Sequence, residues 1–149
     1  MGNVLTSARG LAQFYADLHT NKLISRASLA QMLTFQPLTV GTVPPAGTYY
    51  GLGQMITEPW TLGINRSLTL VGHPGMDWGS GFQSAHWVHE LNMSFAIGFN
   101  MGESPSGMNS SLTFTQNAQF VAASTCRLLD VLLTYRGQIG LNCSHLIPP

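Results

Sequence analysis

Between Thr6 and Asn21 the apolar residues Leu11, Phe14, Tyr15 and Leu18 recur at intervals of three and four, which lays one apolar stripe along an α-helix. Thr6 or Ser7 can accept the free N–H groups of the first turn, and Thr20-Asn21 turns the chain out again. SRASLAQMLTF repeats the pattern over a shorter span, with Ser25 as cap and Leu29, Met32 and Leu33 as the buried side. The helical period then stops. Residues 36–48, QPLTVGTVPPAGT, are so dense in Pro and Gly that they predict a surface loop.

Four strand-like runs follow: YYGLGQMIT (49–57), SLTLVG (67–72), GFQSAHWVH (81–89) and MSFAIGF (93–99). The glycines of the first mark bends or close backbone approach, and a Gly-rich loop starting at His73 separates the second from the third. Connections as short as Glu90-Leu91-Asn92 favour antiparallel pairing. MGESPSGMNSS (101–111) reads as another loop. NAQFVAASTCRLLDVLLTY (117–135) reads as a helix with Phe120, Ala123, Leu128, Val131 and Leu132 on its apolar face and Gly137 as its stop. Residues 138–149 have no periodicity and form an irregular tail. The fold class predicted is α+β, in one domain over residues 1–149. An antiparallel sheet of three or four strands carries the N-terminal helices and a long C-terminal helix. A helix laid on so small a sheet leaves an open edge and an uncovered face, so a partner or missing part is expected, with self-association through the edge as one outlet.

The charge balance narrows the partners. Lys+Arg and Asp+Glu number 6 each, for a net charge of zero, and only 8% of residues are charged, where a soluble domain usually has about a quarter. No basic stripe exists for nucleic acid or anionic lipid, and no run approaches the length of a membrane span or of the apolar part of a signal peptide. Solubility without charge directs attention to four N-x-S/T sequons, at Asn65, Asn92, Asn109 and Asn142. Glycans there would imply a secreted or extracellular setting, in which Cys126 and Cys143 can form a bridge. Two buried thiols are the alternative.

In order and rough spacing, SARGLAQFYADLHTNKLISRASLAQML, YYGLGQMI, VGHPGMDWGSGF and MSFAIGFN resemble the C-terminal part of the serine beta-lactamase-like superfamily. That superfamily includes class C beta-lactamases, D-alanyl-D-alanine carboxypeptidases and esterases of the same fold. The resemblance runs from about Thr6 to Tyr135 and is most specific in YGLG followed some twenty residues on by GHPG and a GF-headed strand. It implies that His73-Pro74-Gly75 is the third active-site motif, on a sheet strand beside the substrate cleft. His73 would then bind a substrate carboxylate or support proton transfer, and Gly75 would keep the strand clear of the substrate. The backbone N–H of Met76 would be the second oxyanion donor. Pro74, Asp77 and Trp78 would line the substrate side, in a loop slightly longer than the family's.

The same resemblance implies a reaction this chain cannot complete. The family's nucleophile is the serine of Ser-x-x-Lys, but the only lysine here is Lys22 and His19 stands three residues before it. No tyrosine begins a Tyr-x-Asn either. The expectation is therefore a C-terminal segment of a hydrolase that cleaves a small-molecule or peptide acyl substrate, without cofactor, and is inactive alone. The competing expectation is a non-catalytic secreted domain that binds a ligand or partner. A triad from Ser80, Ser84, His73, His86, His89 and Asp77, or a metal site from the histidines and Glu90, is not specified by spacing. His86 and His89 read as solvent-side or half-buried strand residues. Trp60, Trp78 and Trp87 and the seven methionines read chiefly as packing, with Trp78 as a possible pocket wall.

Overall fold

Ser7 caps the first helix by accepting from the Gly10 N–H at 3.1 Å, and Ser25 caps the second by accepting from the Ser28 N–H at 3.0 Å. In the computed structural model, which describes residues 6–37, 49–57, 68–77, 81–99 and 110–144, these helices are α1 (Ala8–His19) and α2 (Arg26–Met32). Between them Asn21 adopts a left-handed φ of 60°, and the Thr20 hydroxyl donates to the Ala16 carbonyl to close the last turn of α1.

One six-stranded antiparallel sheet follows in simple sequence order: β1 (Gln36–Pro37), β2 (Tyr49–Tyr50), β3 (Met55–Thr57), β4 (Leu70–Asp77), β5 (Gly81–Val88) and β6 (Met93–Phe99). Three boundaries differ from the sequence reading. Gln36 and Pro37 open the sheet rather than a loop, pairing with Tyr50 and Tyr49 at an edge where proline's missing N–H costs nothing. The run 49–57 folds back on itself, since the Gly51 N–H donates to the Gln54 carbonyl and makes a β2–β3 hairpin. β4 does not stop at Gly72 but runs through His73-Pro74-Gly75-Met76 to Asp77, held by an eight-pair ladder against β5.

Strand pairing assigns side chains to faces. Leu70, Val88 and Met93 form one cross-strand row and Gly72, His86 and Phe95 the next, both facing the long helix α3 (Ser110–Tyr135). Val71, Trp87 and Ser94, and beyond them His73, Ala85 and Ala96, face the other way, where α1 lies. There the Ser94 hydroxyl donates to the Ala12 carbonyl at 2.7 Å. Helices therefore lie on both faces of the central strands at these rows, where the sequence reading expected one face to be uncovered. Every described side chain from Ser84 to Val88 is buried. The outer edge of β6 ends the sheet without a further strand partner among the described residues.

On α3 the buried stripe is Ala122, Cys126, Leu129 and Leu133, with Leu128 and Leu132 flanking it, and Val131 is 62% exposed. The run RLLDVLL is apolar almost all round, so periodicity alone does not choose a face. Docking on Leu70, Val88 and Phe95 does. For the same reason Phe14, expected inside, is 49% exposed while Tyr15 and Leu18 carry the buried side of α1. The helix starts at Ser110, within the stretch read as a loop. It ends as expected at Gly137, whose φ of 67° permits the paired bonds Gly137 N–H to Thr134 and Gln138 N–H to Leu133. No described helix is long and apolar enough to cross a membrane.

The tail then folds back along α3. The Leu141 N–H donates to the Asp130 carboxylate at 2.7 Å, and Cys143 is disulfide-bonded to Cys126, 17 residues away. Replacing both cysteines by alanine is expected to lower folding stability by about 3 kcal/mol, the loop-closure value for a ring of this size. Urea unfolding of the pair of proteins measures it, and a difference within error would mean that the tail holds its place without the bridge.

Candidate functional site

β4 outruns its neighbour. β3 pairs with it only at Leu70, Val71 and Gly72, so from His73 to Asp77 no described strand pairs with that edge of β4, while the other edge remains in the β5 ladder. His73 sits at the start of this open edge, in a row whose other members, Ala85 and Ala96, offer only methyl groups. From the β2–β3 hairpin the Tyr50 hydroxyl reaches His73 Nε2 at 2.8 Å, and the rings meet edge to face with centroids 5.6 Å apart. Tyr50 was not singled out by sequence reasoning. YY before a glycine carries no signature of such a contact, which depends on the hairpin folding back over β4.

A layer of aromatic and imidazole rings continues along the α1 side. His19 lies parallel to Trp87 at 5.3 Å and to Tyr15 at 6.4 Å, and its Nε2 is 3.0 Å from the Oε1 of buried Gln54. Burial lowers the His19 pKa from its ordinary value, against the opposing hydrogen bond that the ring donates to Gln54 Oε1, and the nearby His89 adds to the lowering. Tyr15 is pushed up, first by burial and then by the neighbouring Tyr50. Trp87 is thus packing, as read from the sequence.

On the opposite face, under α3, His86 corrects its assignment as a solvent-side or half-buried residue. It is 4% exposed, and a side chain on Gly72 would collide with the Ala85 carbonyl and the His86 ring, so glycine is what lets the imidazole lie flat there. Ser84 Oγ is 3.2 Å from His86 Nδ1, and among the described residues Nε2 has no hydrogen-bond partner. Burial, reinforced by the proximity of His73, lowers the His86 pKa to about 4. Among the described side chains that a triad could draw on, Ser84 and His86 are the serine and histidine brought together. Both are enclosed, so the pair has no access to a substrate. His89 and Glu90 are exposed in a turn after β5, and Glu90 accepts from the Thr69 N–H at 2.7 Å and from its hydroxyl at 2.6 Å. Burial favours the neutral acid, but those bonds hold its pKa below the usual value. Among the described residues no three His, Cys, Asp or Glu side chains converge as a metal site would need.

The remaining expected site residues divide by position. Gly75 is exposed on β4, paired with Gln83, and Pro74, Met76 and Asp77 are strand residues opposite Ser84, Phe82 and Gly81. The side chains of Pro74, Met76 and Asp77, all of Trp60, Trp78 and Ser80, and the sequon residues Asn65 and Asn109 lie outside the described residues. Compared with known proteins, the chain matches no family model and no curated protein.

A base whose pKa is depressed on folding binds more protons when unfolded, so stability rises with pH across the interval between the two values. For His86 that interval runs from about 4 to 6.5. Stability is expected to fall by about 3 kcal/mol as pH drops through it, in proportion to the pKa difference. His86→Phe should remove most of that slope. Chemical denaturation at a series of pH values tests this, and an unchanged slope in the variant would assign the effect to other groups, His19 first.

Proposed function

We propose that residues 1–149 form the C-terminal segment of a beta-lactamase-related serine hydrolase that cleaves an ester or amide through an acyl-serine. The observation that carries this reading is the placement of HPG on β4 just past the last β3 pair at Gly72, where the Tyr50 hydroxyl meets His73 Nε2. An oxyanion hole needs backbone N–H groups turned toward a reacting carbonyl, and a strand that runs beyond its neighbour can present them. The position of HPG on such an edge, in an antiparallel sheet with a long C-terminal helix on the far face, supports the resemblance carried by the sequence.

In this reading the serine hydroxyl, supplied from outside these residues, attacks the substrate carbonyl. Its proton passes to a base in the same part of the protein, and the carbonyl oxygen gathers negative charge. The Met76 N–H donates to that oxygen together with the N–H of the nucleophile. His73 binds the substrate's carboxylate or relays the proton to the leaving group, and Tyr50 fixes the imidazole through Nε2 so that the Nδ1 edge keeps one orientation. Gly75 leaves the strand surface bare for the substrate. Water then attacks the acyl-serine, and the acid and the free serine are regenerated. The secreted setting is part of the same proposal, consistent with the Cys126–Cys143 bridge.

The test is labelling of the natural polypeptide with a fluorophosphonate or a fluorescent beta-lactam, followed by peptide mapping. Label is expected on a serine of a Ser-x-x-Lys sequence in the same polypeptide as residues 1–149. In that polypeptide His73→Ala should slow acylation about a hundredfold or more, and Tyr50→Phe by less. Wild-type acylation in the His73→Ala protein would sink the assignment. So would a natural polypeptide of the encoded 16.1 kDa with no labelled serine, an outcome that favours a non-catalytic binding domain.

A further inference from the structure

The two sequons that lie within the described residues present themselves in opposite ways. At Asn92 the chain makes a tight left-handed turn with φ 50°, and the hydroxyl of its partner residue Ser94 is already committed, donating to the Ala12 carbonyl where α1 packs on β6. A transferase would have to break a contact between helix and sheet to reach that hydroxyl. At Asn142 the opposite holds. Asn142 and Ser144 are both exposed, while Cys143 between them is buried in its bond to Cys126. The Leu141 N–H is held by Asp130 on the side leading into the sequon, so the middle residue is pinned inward and its two neighbours are turned out together.

The local hydrogen bonds complete the arrangement. The Ser144 N–H donates to Asn142 Oδ1 at 3.1 Å, closing an Asx turn, and the Ser144 hydroxyl donates to the same oxygen at 2.6 Å. Both donors fall on the carbonyl oxygen of the side-chain amide. They draw electron density toward it and make the Nδ2 protons easier to remove, and Nδ2, a donor only, takes no part in either bond.

We propose that Asn142 is a site of N-linked glycosylation, and that it is used in preference to Asn92. The donor would be an oligosaccharide carried on a polyprenyl diphosphate. Asn142 Nδ2 forms a bond to the anomeric carbon, the bond from that carbon to the diphosphate oxygen breaks, the diphosphate leaves with the electron pair, and the Nδ2 proton goes to a base of the transferase. The site belongs to the α3 side of the molecule, whereas His73 stands on the α1 side, so the proposal does not depend on the hydrolytic reading. A glycan here also places sugar beside a chain with few charges to keep it in solution.

The experiment expresses the full chain behind a cleavable secretion leader in cultured eukaryotic cells and analyses only protein recovered from the medium. Digestion with peptide N-glycosidase in heavy-oxygen water converts each glycosylated asparagine to a labelled aspartate that peptide mass spectrometry locates. Label is expected at residue 142 in most molecules and at residue 92 in few. Ser144→Ala should abolish the label at 142 and Ser144→Thr should keep it. Secreted protein bare at Asn142 overturns the proposal. So does label at Asn92 equal to or above that at Asn142, or label at 142 that survives Ser144→Ala.

Discussion

The β4–β5 ladder is the element on which the rest of the molecule depends. Among the described strands its eight pairs join the two long inner ones, and helices lie on both of its faces. A strand buried on two faces cannot alternate apolar with polar, so Ser84, Ala85, His86, Trp87 and Val88 are all inside, including the polar Ser84 and His86. The polar pair solves part of the difficulty locally, Ser84 to His86, and the remainder is met by keeping the imidazole uncharged. Gly72 on the neighbouring strand gives the ring its room.

The two histidines that the ladder carries show how much environment outweighs residue type. His73 and His86 occupy neighbouring strands of one sheet and differ by one step of strand parity. That step sends His86 under α3, into a closed apolar layer with Phe95, and sends His73 to the side where Tyr50 meets it and where β4 extends past β3. One is a structural residue whose ionisation opposes folding. The other is half-buried and meets the Tyr50 hydroxyl through Nε2.

The helix caps, the four strand-forming runs, the antiparallel pairing and the stop at Gly137 are legible in the sequence because each depends on a few adjacent residues. Ser7, Ser25 and Gly137 act within one helical turn of themselves. What could not be read depends on contacts between distant segments. The face of α3 is not legible because RLLDVLL is apolar in nearly every direction and docking selects Leu129 and Leu133 over Val131. The second covered face escaped because α1 reaches the sheet through Ser94 and Trp87, residues more than sixty positions away in sequence. The candidate site shows the same division. His73 and Gly75 were singled out from a local motif, whereas Tyr50, brought in by a hairpin, was not, and the burial of His86 follows from a helix that begins more than twenty residues later.

The strand order itself has a consequence for how the molecule comes into being. Six described strands that pair strictly in sequence order can be added one at a time, each on the strand before it, so the sheet has a low contact order for an all-antiparallel assembly. During synthesis residues 36–99 can therefore zip into a sheet while α3 is still inside the ribosome. In that interval Leu70, Val88 and Phe95 face water, with α1 already available for the other side. The step that commits the fold is then the later arrival of one helix on a waiting apolar surface, which places the greatest exposure to misassociation in the interval before α3 docks.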